Sequence, residues 1–361
     1  MLFRSHYQRL PQSLEGLIRQ FTQACGEGSQ TSPGAELLGR WLLSPFAGEL
    51  RAARRIVIVP FGPLYALPWQ ALDFEGEPLA EGRAISVVPS ATFVIRENST
   101  GAPLAKGPWM AVGDPAFDPA SNPRLRRLPG AGVEAAAMKL VRADAVILPG
   151  AEASEAAVRR LLGSPWALVH LAAHGLLDQT APTMSAIVLA GTDRLTVADL
   201  VGLSLQVDLV VLSACDTGRG AMTMGGELIG LARALLTAGV RRCVVALWPV
   251  DDIPACVLMH EFHRLLAKDM ASPAEALALA QEAIRGMDES ALLDRFRALG
   301  GTPGVGQRSV RRGGQSMAAC QRSARLLELD PEFEEREVDA KPIKLDGALP
   351  RVWAPFVMFG C

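Results

Sequence analysis

Short apolar, β-branched runs alternate with stretches of helical periodicity along most of this chain, which predicts an α/β domain built on a mostly parallel sheet. Two observations carry that expectation. Runs such as WALVHLA, DLVVLSA and RCVVALW are apolar at nearly every position, the pattern of strands covered on both faces. They are also less than half the length that a bilayer-spanning helix needs, so they belong to a sheet core.

Taken in order, an amphipathic helix is expected over residues 14–25, with Ser13 as its cap and Gly26-Glu27-Gly28 as its stop. A second helix over 35–43 leads through RAARR into the strand IVIVP, which stops at Pro60. ISVVPSATFVI (85–95) reads as a strand and turn, and WMAVGDPAF as a strand closed by a Gly-Asp-Pro turn. A helix over 133–142, strand AVILPG, a helix over 154–162, strands WALVHLA and DLVVLSA, a helix over 226–238, strand RCVVALW and helices over 253–267 and 274–285 follow. Residues 288–350 are rich first in Gly and Arg and then in acidic side chains, and read as a polar insertion before the strand VWAPFVMFG. The expected organisation is a helical N-terminal extension over 1–30 and one domain over 31–361, with no internal repeat.

A chain of 361 residues with 49% hydrophobic content can fill a large core. Its 36 Lys and Arg nearly balance 38 Asp and Glu, so no net field draws it onto nucleic acid or acidic lipid. His6, Arg9 and Glu15 interrupt the start where a secretory signal needs an apolar core, and a cytoplasmic location is expected. The six cysteines (Cys25, Cys215, Cys243, Cys256, Cys320 and Cys361) are dispersed without a C-x-x-C pair. Neither a zinc ribbon nor a disulfide framework is indicated, and a reducing compartment fits.

In open parallel sheets, reactive groups gather beyond the carboxyl ends of the strands. WALVHLA runs into Ala173-His174-Gly175, and DLVVLSA runs into Cys215-Asp216-Thr217-Gly218. A thiol needs a neighbouring base to become a nucleophile, and an imidazole suits that task. The backbone amides of Gly175 and Cys215 are the candidate oxyanion hole, because glycine lets backbone approach a scissile carbonyl. The structural reading stands beside this one. A cysteine closing a buried strand is commonly a small hydrophobe, as Cys243 is expected to be, and a strand-end histidine commonly a hydrogen-bonded core residue. What favours chemistry is the pair: histidine first, then cysteine, 41 positions apart (215 − 174), is the caspase-like order.

HLAAHG, LSACDTG, GGELIGLARALLTAGVRRCVVALWPVDD and the closing WAPFVMFG together resemble the CHAT domain, a family grouped with caspases and separases. VIVPFGPLYALPWQAL, VVPSATF, VGDPAFD and LPGAGVEAAAM extend the resemblance from about residue 31 to the end. It implies a caspase-like three-layer α/β/α sandwich with a mostly parallel central sheet. It also implies a peptidase dyad on His174 of AAHG and Cys215 of SACDTG, an activating protein partner, and a role in bacterial stress or defence signalling. The stretch between the helix at 274–285 and WAPF is longer than the family pattern.

Asp251 and Asp252 follow the strand whose end, in caspase-like folds, walls the pocket for the residue before the cut. A carboxylate there selects Arg or Lys, and the same residues can instead cap the next helix. Arg311-Arg312-Gly313 is then a candidate for self-processing, or an inert loop. His170 with His174, and His260 with His263, raise a metal site. The first pair lies on a strand, however, and HEFH is one residue short of H-E-x-x-H, so His170 reads as core and no metal is assigned. Glu227 reads as structural at its helix start. The expected activity is hydrolysis of protein substrates through a thioester acyl-enzyme, without a cofactor. Two alternatives remain: a caspase-like scaffold that binds a partner without cleaving it, and hydrolysis of a non-peptide ester by the same dyad.

Overall fold

The computed structural model describes residues 14–28, 33–97, 102–176, 178, 180–213, 226–268, 271–303 and 347–360. Helices α1 (Leu14–Glu27), α2 (Pro33–Leu42) and α3 (Ala47–Ala52) precede strand β1 (Arg55–Ile58), a small hairpin of β2 (Asp73–Phe74) and β3 (Glu77–Pro78), and β4 (Ala84–Val87). Then come α4 (Ala91–Glu97), β5 (Trp109–Gly113), α5 (Pro129–Val141), β6 (Val146–Pro149), α6 (Glu155–Leu162) and β7 (Trp166–Ala172). Three short strands, β8 (Gly175–Leu176), β9 (Ala186–Val188) and β10 (Arg194–Thr196), lead to α7 (Val197–Val201), β11 (Val207–Leu212), α8 (Gly226–Thr237) and β12 (Arg242–Ala246). The chain closes with α9 (Asp252–Leu266), α10 (Pro273–Arg285), α11 (Glu289–Ala298), α12 (Pro350–Trp353) and β13 (Phe356–Gly360).

Eight strands form one sheet in the order β1-β4-β13-β12-β11-β7-β5-β6. Every neighbouring pair is parallel except β12 with β13, so β1, β4 and β13 run against the other five. The register shows why the strands are apolar throughout. Val169, Val210 and Cys243 are in line on one face, and Ala111, His170, Val211 and Val244 on the other. Cys243 Sγ lies against the Ala232 carbonyl of α8, while His170 meets Glu134 of α5 and His263 of α9. Helices therefore cover both faces, which makes the three-layer α/β/α arrangement, and the central strands β5, β7, β11, β12 and β13 are buried at every position.

Three of the expected elements come out differently. Residues 91–97 are helical rather than a turn, because the Ser90 hydroxyl accepts from the Phe93 amide at 3.3 Å and starts a helix through β-branched residues. Residues 289–298, inside the stretch expected to be a polar insertion, form helix α11: Asp288 caps it by accepting from the Ala291 amide at 2.8 Å, and Leu292 and Phe296 are buried. VWAPFVMFG splits, with Val352 and Trp353 ending α12 and only Phe356–Gly360 extended. Helix α1 buries Ile18, Phe21 and Cys25 in the common core, and Thr22 donates to the Ala66 carbonyl at 3.2 Å. Ser13, Glu227's side chain, Arg311, Arg312 and Cys320 lie outside the described residues. No helix among the described residues is long and apolar enough to cross a membrane.

Candidate active site

The carboxyl ends of β5, β7, β11 and β12 stand side by side, with Gly113 opposite Ala172 and Leu212 opposite both Leu171 and Val245. Strand β7 delivers His174 to this rim. Its neighbour β11 continues into Ser213, whose amide donates to the Leu171 carbonyl at 3.1 Å. Cys215 follows two positions later and falls within 214–225, outside the described residues.

His174 is 2% exposed. Its Nε2 lies 2.5 Å from the carbonyl oxygen of Arg126, in the loop before α5. A carbonyl only accepts, so Nε2 carries the hydrogen and donates it; the neutral ring then keeps its lone pair on Nδ1. Phe117 meets the ring edge-on, with centroids 5.5 Å apart. The main chain is held as well, since the Val188 amide donates to the His174 carbonyl at 2.8 Å. With that bond in place, and Gly175 opposite Ile187, the Gly175–Ile187 pair is the non-hydrogen-bonded kind. The Gly175 N–H consequently points away from β9, on the outer side of an edge strand.

Asp251 and Asp252 also reach this rim, following β12. Neither caps the helix it begins: Asp251 occupies the N-cap position of α9 without a side-chain cap bond. Asp251 lies 3.8 Å from Arg351, and burial pushes its carboxyl up while Arg351 pulls it down. Asp252 accepts from the Gly130 amide in the first turn of α5 at 3.3 Å. The approach is close enough that a Cβ on Gly130 would sit 2.3 Å from the Asp252 Cβ. Burial raises the Asp252 carboxyl to about 6, with the nearby carboxylates of Glu134, Asp251 and Asp114 adding to the rise against the Gly130 bond. The segment that enters α5 thus touches both sequence-derived candidates, His174 through Arg126 in the loop and Asp252 through Gly130 in the first helical turn.

His170, four positions earlier on β7, is fully buried with its Nε2 2.6 Å from Glu134 Oε1, and its ring meets His263 edge-on at 5.0 Å. It faces α5 and α9 and belongs to the core. Among the described residues no group of three or more His, Cys, Asp or Glu is placed to hold a metal ion. Cys25, Cys243 and Cys256 are buried free thiols, and burial pushes all three up, Cys25 to about 12. Buried thiols of this kind do not ionise near neutrality and are poor nucleophiles.

Arg126 and Glu134 escaped the sequence reading. Arg126 acts through its backbone carbonyl, which no residue type announces. Glu134 carried one weak signal, a lone acidic residue within the apolar run GVEAAAM.

Ninety residues of this chain are 42% identical to the mouse tetratricopeptide repeat protein 28 and 36% identical to its human counterpart. That stretch is 24% of this chain and only 4% of either relative. The crystal structure of the Arg-specific cysteine proteinase gingipain R superposes with a TM-score of 0.45 at 10% identity, covering 96% of this chain and 74% of that one. The model of the CHAT domain matches residues 32–361, nearly the whole chain and both strand ends that carry His174 and Cys215, and the protein belongs to the CHAT domain family.

Proposed function

We propose that this protein is a cysteine endopeptidase in which Cys215 is the nucleophile and His174 the general base. The observation that carries the reading is the bond from His174 Nε2 to the Arg126 carbonyl, which leaves Nδ1 as the basic nitrogen at the rim where β11 leads toward Cys215. In the first step the thiol proton passes to Nδ1 and the sulfur attacks the scissile carbonyl carbon. The imidazolium then returns its proton to the leaving amine as the C–N bond breaks, forming a thioester. Water hydrolyses the thioester, with His174 taking its proton and the thiolate departing. The Gly175 N–H, directed away from β9, and the Cys215 amide are the proposed oxyanion donors.

For the residue before the cut we propose Arg or Lys, selected by Asp252. Asp251 has Arg351 beside it, whereas the Asp252 carboxylate is desolvated and accepts a backbone amide, an environment that a bound cation would relieve. The test is cleavage of a mixed peptide library by the purified protein and by Cys215→Ala, read by mass spectrometry. Cuts after Arg or Lys by the parent alone are expected, and cuts by both forms would overturn the mechanism. If neither cuts, rapid alkylation of Cys215 would mark an enzyme awaiting an activating protein partner, and slow alkylation a non-cleaving scaffold.

A further inference from the structure

Asp114 has a backbone φ of 44°, in the left-handed region that residues with a Cβ rarely occupy. The conformation follows directly on β5 and brings the carboxylate onto the segment after Arg126. Oδ1 accepts from the Leu128 amide at 2.8 Å and from Arg127 Nε at 3.0 Å. Oδ2 accepts from Arg127 Nη2 at 2.6 Å, and the Asp114 carbonyl accepts from the same nitrogen at 3.3 Å. At its other end the Asp114 amide donates to the Ala172 carbonyl at 3.1 Å, two residues before His174. One residue thus joins the end of β7 to both residues that follow Arg126.

We propose that Asp114 is a positioning residue: by clamping Arg127 and Leu128 it holds the Arg126 carbonyl on Nε2 of His174 and fixes the Nε2–H tautomer. This rests on the reading of His174 as general base. If the carbonyl moved, the Nε2–H form would lose its bond to Arg126, and a thiol facing an N–H on Nδ1 has no base to receive its proton. A bidentate carboxylate that also takes a main-chain amide defines position more stiffly than an exposed ion pair. Its side chain is 13% exposed, against 55% for Arg127, so the carboxylate is the sheltered anchor.

Two variants separate positioning from folding. Asp114→Gly suits the left-handed backbone and deletes every side-chain bond, whereas Asp114→Asn keeps an oxygen acceptor for the Leu128 amide. In the full-length protein, alkylation of Cys215 by iodoacetamide at pH 7 is expected to slow about tenfold or more in the glycine variant and to be largely retained in the asparagine variant. Nitrogen NMR of histidine-labelled protein is expected to show a single Nε2–H tautomer for His174 in the parent and a mixture in Asp114→Gly. An unchanged tautomer in folded Asp114→Gly, with only its melting temperature lowered, would overturn the proposal. If parent Cys215 is alkylated no faster than a free peptide thiol, the dyad reading fails instead, and the tautomer spectrum still decides the role of Asp114.

Discussion

A carbonyl oxygen can only accept a hydrogen bond, and this restriction sets the chemistry of His174. The residue was legible from the sequence because it ends an apolar strand; its tautomer was not, because the partner is a main-chain atom 48 positions earlier. Asp252 was legible in the same limited way. Its bond to Gly130 spans 122 positions, and burial in the fold supplies the desolvation. The folded carboxyl, at about 6, holds its proton to higher pH than the unfolded one, at an ordinary carboxylate value. Between those values the native state binds more protons, so stability falls as pH rises from about 4 to 6. Asp252→Asn is expected to remove that fall, gaining on the order of 2 kcal/mol on the parent at pH 7 relative to pH 4 in urea melts. The same variant is expected to lose the preference for Arg and Lys in the peptide library.

Helices α5 and α9 pack on the sheet through a polar contact that their apolar periodicity concealed. His263 of α9 is buried against His170 of β7, and burial lowers it well below the ordinary histidine value, with the two neighbouring histidines adding to the effect. The sign is opposite to that of Asp252. The unfolded chain takes up a proton at His263 as pH falls through about 6.5, while the folded one does so only at lower pH. Stability is therefore lost on acidification below about 6.5. The two slopes oppose each other between about pH 4 and 6, and single variants should uncover them. His263→Leu is expected to flatten the loss of melting temperature between pH 7.5 and 5. Element positions were largely readable, since strand runs and helix periods are local; α4 misled because a serine cap outweighed β-branched content.

Across the whole molecule, an ion-pair cluster ties together the amino ends of β11 and β12. There Asp208 accepts from the 2%-exposed Arg242 side chain at 2.8 and 3.0 Å, from Arg241 at 3.1 Å and from the Ala105 amide at 2.6 Å. Arg242 also donates to the Ala102 carbonyl at 2.9 Å, so one ion pair fastens the loop before β5 beneath the sheet. Asp208→Ala leaves a buried guanidinium without its carboxylate and is expected to cost about 3–5 kcal/mol in denaturant unfolding. The sequence by itself determined the α/β class, the strands of the main sheet, and the order of a histidine strand end before a cysteine strand end. Those follow from side-chain periodicity and turn chemistry within a few residues. Only the tertiary structure decided the opposed direction of β1, β4 and β13, the tautomer of His174, the clamp at Asp114 and the raised carboxyl of Asp252. Each of these depends on which distant segments meet and on how much water their meeting excludes.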